Sequence, residues 1–219
     1  MMSLERARAR ALVGGALLLL VGDAYALDGN KIFTQGGSQP GAMACVACHG
    51  ADGLGVAAAG FPRLAGLPAQ YVRRQLADFA SGARSNPVMQ PLASALTDAE
   101  IVALSDAVAA MPAPVTAVVP RSEMPANPIQ KLALQGAWER QIPACVSCHG
   151  PAGIGVGDAF PPLAGQPAAY LAAQLSAWQS GTRRNDPNDL MGHIAKALTP
   201  DEVQGVAHYF ASLPLEAKP

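Results

Sequence analysis

Hydrophobic positions recur at helical spacing in two similar stretches, one in each half of the chain. The first stretch follows Pro68 and the second follows Pro167, and proline is common at the start of a helix. Gly82 and Gly181 close the two stretches, as glycine often does at a helix end. The recurring residues are Tyr71, Val72, Gln75, Leu76 and Phe79 in the first half, and Tyr170, Leu171, Gln174, Leu175 and Trp178 in the second. This spacing predicts one amphipathic helix in each half.

A second pair of helices is predicted toward the end of each half. Thr97 with Glu100, and Thr199 with Glu202, form the capping-box pattern that marks a helix start. An apolar stripe follows each box and a proline ends it: Ile101, Leu104, Val108, Met111 and Pro112 in the first half, and Val203, Val206, Phe210, Leu213 and Pro214 in the second.

Each half also has a weaker helical pattern at its start. It runs from about Pro128 to Trp138 in the second half and around Asn30 to Gln35 in the first. Because no segment alternates clearly enough to predict a strand, the predicted fold class is all-α.

The matched patterns belong to a tandem duplication. The sequence ACVACHGADGLGVA, starting at Ala44, returns as ACVSCHGPAGIGVG at Ala144. Between the copies lies a segment with five prolines, which favours an extended connection. We therefore predict an N-terminal domain of residues 27–111, a proline-rich linker of residues 112–128 and a C-terminal domain of residues 129–219.

The first 26 residues have the pattern of a secretory signal peptide. Three arginines precede an apolar run from Ala11 to Val21, which is too short to span a bilayer. Ala24 and Ala26 then place small residues at the positions that a signal peptidase reads. The prediction is export to the periplasm, with no membrane span after cleavage; the alternative is an uncleaved anchor.

Composition excludes two classes of protein. Half of the 219 residues are hydrophobic and the formal net charge is -1, which argues against a disordered chain and against nucleic-acid binding. Aromatic residues make up only 5% of the chain, so two small domains would have little with which to fill their cores. A large buried cofactor in each domain would solve that problem.

All four cysteines lie in the duplicated motif. Cys45 and Cys48 are followed by His49, and Cys145 and Cys148 are followed by His149. C-x-x-C-H is the attachment motif of haem c, in which two thiols bind the porphyrin covalently and the histidine binds iron. Disulfides or a zinc site are the alternatives, but neither explains both histidines. The sequence thus predicts two covalently attached haems c.

A haem iron with a histidine on one side needs a second ligand on the other. Only Met89 and Met191 hold equivalent places in the two copies, and we predict them as the distal ligands. Core packing is the commoner use of methionine and is the alternative. His193 is the rival for the second haem, although it has no counterpart in the first copy. Four other residues fit less well. Met43 lies too close to its own motif, Met111 belongs to an apolar stripe, Met124 lies in the linker and His208 lies on the last helix.

The two copies share a C-x-x-C-H-G motif, an F-P-x-L-A-G segment, a Y-x-x-x-Q-L helix followed by G-x-R, and a methionine. In these features the sequence resembles the cytochrome c4 family. The resemblance covers essentially the whole mature chain. It implies two tandem cytochrome c-like domains, each wrapped around a haem, whose propionate edges approach each other at the domain interface. Tyr71, Tyr170, Arg84 and Arg183 are candidate partners for the propionates; ordinary packing and surface charge are the alternative.

The resemblance also implies a periplasmic electron carrier rather than an enzyme. Its redox partners would be a membrane oxidase, a bc-type complex or a dehydrogenase, through which it could associate with the membrane. A dedicated electron-accepting subunit of one periplasmic dehydrogenase is the second hypothesis. A diheme enzyme, such as a peroxidase or a thiosulfate dehydrogenase, is the third, but it would need an open or exchangeable iron position.

Overall fold

The computed structural model describes residues 27–116 and 124–216, and these form two helical domains of similar build. The N-terminal domain contains α1 (Gly29–Gln35), α2 (Val46–His49), α3 (Ala69–Ser81), α4 (Met89–Ser94) and α5 (Asp98–Ala110). The C-terminal domain contains α6 (Pro128–Gln135), α7 (Cys145–His149), α8 (Ala168–Gln179), α9 (Leu190–Lys196) and α10 (Pro200–Ala211). Short 3-10 turns lie at Ala57–Ala59, Trp138–Arg140 and Pro151–Gly153. The predicted all-α fold class is confirmed.

The predicted helix boundaries agree closely with the structure. Pro68 and Pro167 are the N-caps of α3 and α8 rather than their first residues. Both capping boxes are present, each with its threonine side chain and its glutamate side chain bonded reciprocally. The helix predicted to reach Trp138 is shorter, because α6 ends at Gln135 and a separate 3-10 turn follows.

One small element was not predicted. Val115–Thr116 (β1) pairs antiparallel with Leu215–Glu216 (β2), so that the segments following α5 and α10 lie side by side. Two residues are too few to show the alternation on which a strand prediction rests.

Each domain has its own hydrophobic core, formed where its first and last helices cross beside its long third helix. The N-terminal core includes Ile32, Phe33, Leu67, Tyr71, Val72, Leu76, Phe79, Ala93, Leu104 and Val108. The C-terminal core includes Leu132, Ile142, Leu171, Leu198, Val203, Val206, Phe210 and Leu213. Gly29 allows α1 to approach α5 closely, because a side chain there would collide with the carbonyl oxygen of Ala103.

The two domains are joined by a pair of loops that follow α3 and α8. The Ser85 N–H donates to the Thr182 carbonyl oxygen at 2.9 Å, and the Arg184 N–H donates to that of Ala83 at 2.8 Å. These bonds put Arg84 and Arg183 opposite each other in an isolated antiparallel bridge.

A second contact joins residues that are not equivalent in the duplication. The Arg63 N–H donates to Gln166 Oε1 at 3.0 Å, and Gln166 Nε2 returns a bond to the Arg63 carbonyl oxygen at 2.9 Å. The Arg63 guanidinium also donates to the Ala164 carbonyl oxygen at 3.2 Å. Arg63 and Gln166 are both buried.

Within the described ranges, none of the helices has the length and apolar composition required to cross a membrane.

Candidate haem sites

The two C-x-x-C-H motifs lie on short helices that end at their histidines. His49 is the last residue of α2, and His149 is the last residue of α7. Both imidazoles are buried. His49 Nδ1 donates to the Pro62 carbonyl oxygen at 2.9 Å, and His149 Nδ1 donates to that of Pro161 at 2.8 Å. A hydrogen bond at Nδ1 fixes the ring and leaves Nε2 for iron, as is usual for histidines that bind metals.

Burial also favours the neutral imidazole, which is the form that binds a metal. Removal from water lowers the pKa of His49, against the opposing effect of its hydrogen bond to Pro62. Burial likewise lowers the pKa of His149, and the nearby positive charge of Arg183 lowers it further.

The loop after each motif folds back tightly against the following segment. The Gly55 N–H donates to the His49 carbonyl oxygen at 2.8 Å, and Gly55 has a φ of 83°. A Cβ at Gly55 would lie 2.6 Å from the Phe61 carbonyl oxygen, so only glycine fits there. This turn brings the carbonyl oxygen of Pro62 to the histidine.

Each motif lines a cavity that the predicted methionine of the same domain also lines. A cavity of about 480 Å³ in the N-terminal domain is lined by Cys45, Cys48, His49 and Met89. A cavity of about 370 Å³ in the C-terminal domain is lined by Cys145, Cys148, His149 and Met191. The structure therefore brings together every predicted ligand, in two sets of four. Apolar core residues supply most of the remaining lining, which suits a porphyrin ring.

The four cysteines, all of which belong to the described residues, are not joined to one another by disulfides. As free thiols, before haem is attached, Cys45 and Cys145 each have a pKa that burial raises to about 11. Among the described residues, no group of three or more His, Cys, Asp or Glu side chains is placed to hold a metal ion such as zinc.

Met191 and His193 lie on the same short helix but differ in placement. Met191 is partly buried and lines the second cavity, whereas His193 is exposed and does not line it. His208 is exposed as well.

The other methionines also lie as the sequence suggested. Met111 packs on the N-terminal core, and Met124, within the linker, is 90% exposed. Met43 lines the rim of the first cavity while remaining 65% exposed.

A buried polar network lies between the two cavities, and its glutamines were not predicted as functional. The Arg84 guanidinium donates to Gln75 Oε1 at 3.0 Å and to Gln174 Oε1 at 2.6 Å. The Arg183 guanidinium donates to the same two oxygens, each at 3.0 Å. Gln75, Gln174 and Arg183 line both cavities. Gln75 and Gln174 occupy equivalent positions in the two copies, and this equivalence was the sequence signal that could have identified them.

The same network includes the predicted tyrosines. Arg84 donates to Tyr170 Oη at 2.9 Å, across the domain interface. Tyr71 and Tyr170 each line both cavities. Each arginine also stacks on an aromatic ring, Arg84 on Phe79 at 4.4 Å and Arg183 on Trp178 at 3.9 Å. Two buried guanidiniums at the point where the cavities meet form a suitable environment for anionic groups such as propionates.

Comparison with known proteins agrees with this arrangement. The family model of cytochrome c matches the chain twice, over residues 26–106 and 137–214. The chain belongs to the cytochrome c family. It therefore carries two covalently bound haems c, one on each C-x-x-C-H motif.

The relatives found include electron acceptors and carriers. The thiosulfate dehydrogenase electron acceptor of Stutzerimonas stutzeri (strain A1501) is 64% identical over 202 residues, which are 92% of this chain and 94% of that protein. The protein of the same name from Thiomonas intermedia is 48% identical and covers 80% of this chain and 81% of its own length. Cytochrome c4 of Pseudomonas aeruginosa is 34% identical over 80% of this chain and 86% of its own.

Two solved structures are similar to this cytochrome. Reduced cytochrome c4 from Pseudomonas stutzeri has a TM-score of 0.68 at 31% identity and covers 78% of this chain and 93% of its own. The thiosulfate dehydrogenase of Marichromatium purpuratum has a TM-score of 0.76 at 46% identity. This chain matches 40% of that longer protein, while 85% of this chain is covered. The cytochrome is thus a diheme member of the c4 type and transfers electrons rather than catalysing a reaction itself.

Proposed function

We propose that this diheme cytochrome is the electron acceptor of a thiosulfate dehydrogenase. The observation that carries the proposal is the 64% identity, over nearly the full length of both chains, to a protein named as such an acceptor. Cytochromes c4 are more distant, at 33–37% identity. This difference favours the hypothesis of a dedicated electron acceptor over that of a general respiratory shuttle.

The axial ligands in this proposal are His49 with Met89, and His149 with Met191. The support is the arrangement of each pair on one cavity, with histidine Nε2 left available by the hydrogen bond at Nδ1. With histidine and methionine both bound, the haem iron would have no position left for a substrate. A thioether ligand favours ferrous iron and raises the reduction potential, as an electron acceptor requires.

The two sites are arranged for exchange of electrons within the chain. Both cavities share wall residues from α3 and α8, including Tyr71 and Tyr170. Each haem can accept one electron, so one chain could store both electrons released by a two-electron oxidation. Arg84 and Arg183 would neutralise the haem propionates at that shared wall.

The proposed location is the periplasm. The support is the predicted signal peptide of residues 1–26, which lies outside the described residues.

The proposed domains remain residues 27–111 and 129–219, with the linker at 112–128. Pro128, at the linker's end, is also the first residue of α6.

The test is a comparison of electron acceptors. The thiosulfate dehydrogenase of Stutzerimonas stutzeri is supplied with thiosulfate and with this full-length holocytochrome as the sole acceptor. Cytochrome c4 of Pseudomonas aeruginosa serves as the matched diheme control. We expect a kcat/KM for this chain at least tenfold above that for the control. Equal values for the two cytochromes would favour the general carrier, and no reduction of this chain would refute the proposal.

A further inference from the structure

The two copies differ in the side chain that holds the backbone of the predicted ligand methionine. In the N-terminal domain, Asn86 Oδ1 accepts from the Met89 N–H at 2.8 Å and from the Val88 N–H at 3.0 Å. In the C-terminal domain, Asp186 Oδ2 accepts from the Met191 N–H at 2.6 Å. Both residues are followed by a proline and each lines its own cavity. The same turn is therefore built with a neutral amide in one copy and with a carboxylate in the other.

This difference changes the charge around the second haem. Among the described residues that line either cavity, Asp186 is the one that carries a carboxylate. Arginines line both: Arg84 and Arg183 the first cavity, Arg74 and Arg183 the second. The three ion pairs found between described residues do not include Asp186. The negative charge of Asp186 is therefore not neutralised by an ion pair with another described residue.

We propose that the carboxylate of Asp186 lowers the reduction potential of the second haem and so shifts the shared electron toward the first. A negative charge in the cavity wall would stabilise the ferric state of the haem, which carries one more positive charge than the ferrous state. Partial burial limits the screening of that charge by water and salt. Asp186 is a positioning residue for Met191 as well, but Asn86 performs that task without a charge.

The inference requires that the second haem occupies its cavity with Met191 as ligand, and it does not depend on the identity of the electron donor. The ferric methionine charge-transfer band reports that ligation separately. A loss of the band would therefore indicate a failure of ligation rather than an absent charge effect.

The experiment is a spectroelectrochemical titration of the full-length holocytochrome that resolves both potentials. In Asp186→Asn, the amide keeps an oxygen for the Met191 N–H. We expect one potential to rise and the other to stay, with the charge-transfer band unchanged. The equilibrium constant between the haems should change by about tenfold, which corresponds to 59 mV for a one-electron couple.

Two further variants complete the test. Asn86→Asp introduces the charge in the other copy and should lower the potential that Asp186→Asn leaves unchanged; this variant decides the question if Asp186→Asn fails to take up haem. Asp189→Asn is the matched control, because Asp189 belongs to the same loop but its side chain is 72% exposed and lies 3.6 Å from Lys196. Asparagine also tolerates the left-handed backbone at that position. Potentials that do not move in Asp186→Asn while the band persists, or a shift no larger than that of Asp189→Asn, would overturn the proposal.

Discussion

At the scale of single residues, the choice between Met191 and His193 decides the chemistry of the second haem. Both belong to α9, two positions apart. Met191 lines the cavity and His193 is exposed on the other side of the helix. A reversal of these roles would require the helix to rotate or unwind. The identity of the axial ligand matters because it sets haem potential over a range of about 0.8 V.

We therefore expect Met191→Ala to lower one of the two potentials and to remove about half of the ferric methionine charge-transfer band. His193→Ala should leave both potentials and the band nearly unchanged. Met89→Ala is the matched variant in the other domain and should affect the other potential. Redox titration with absorption spectra of the ferric protein measures all three. A second haem of low potential that depends on His193 would show bis-histidine ligation instead.

At the scale of elements, the capping glutamates tie the last helix of each domain to the segment before its motif. Glu100 Oε1 accepts from the Ser38 N–H, while its Oε2 accepts from the Thr97 N–H at 2.8 Å. Glu202 instead pairs with the guanidinium of Arg140. One helix-capping residue thus holds the motif segment in both copies, through a backbone amide in one and an arginine in the other.

Glu100→Gln should lower the free energy of unfolding at neutral pH. Hydrogen bonds, first of all from the Thr97 backbone N–H, hold the pKa of Glu100 below its usual value of 4.5. A lowered pKa in the folded state contributes stability that is present above pH 4.5 and is lost as pH falls through the folded value. The difference in unfolding free energy between the variant and the unaltered protein should therefore be smaller in acid. Denaturant unfolding followed by circular dichroism, at neutral pH and below pH 4, measures it.

Asp98→Asn is the control for that variant, because Asp98 lies in the same first turn and is exposed. It should show a smaller deficit at neutral pH. Thr97→Ala, which removes the other half of the capping box, should cost about 1 kcal/mol. Equal deficits for Glu100→Gln and Asp98→Asn would show that the cap carboxylate contributes nothing beyond its general charge.

The helices and the haem-binding motifs were predictable because each depends on local spacing. Helical periodicity predicted the long helices α3 and α8, and the capping boxes predicted where α5 and α10 begin. The duplication also led to the prediction of Met89 and Met191 as ligands, and the structure places each of them in the wall of its own cavity. Asp186 was not recognised, because inserted residues separate it from Met191 and only the folded turn brings its carboxylate to that backbone N–H.

The contacts between the domains could not be predicted from the sequence. Gln75 and Gln174 belong to helical patterns that seemed to serve the core, and their partners lie in the other copy. Arg63 bonds to Gln166 although the duplication aligns Gln166 with Leu67. Such pairs depend on how two domains dock, which residue spacing within one domain does not describe. The β1–β2 pair, which joins the linker to the C-terminal segment, is a further contact that spacing does not describe.

At the level of the whole molecule, the Arg63–Gln166 pair is a fully buried hydrogen-bonded contact between the domains. Gln166→Leu restores the residue that the first copy has at this position. It leaves the buried N–H and carbonyl of Arg63 without their side-chain partners, at about 1–3 kcal/mol for each unsatisfied group. The domains should then unfold in separate steps. Denaturant unfolding of the holocytochrome measures this, and Gln204→Leu on an exposed face of α10 is the control.

The proposed ligation also makes a prediction for the intact protein. With both irons held by histidine and methionine, the reduced cytochrome should not bind carbon monoxide appreciably at neutral pH. Met191→Ala provides the positive control, because it opens one iron. Rapid binding by the unaltered protein would point to a diheme enzyme.

We propose that both haems of one chain receive electrons from thiosulfate through its dehydrogenase. The most direct measurement is an anaerobic reduction of the full-length holocytochrome by excess thiosulfate and a catalytic amount of the Stutzerimonas stutzeri dehydrogenase, with electrons counted from the ferrous absorption bands. We expect two electrons per chain, and no reduction when the dehydrogenase is omitted. One electron per chain, with the second haem remaining ferric, or equal reduction without the dehydrogenase, would contradict it.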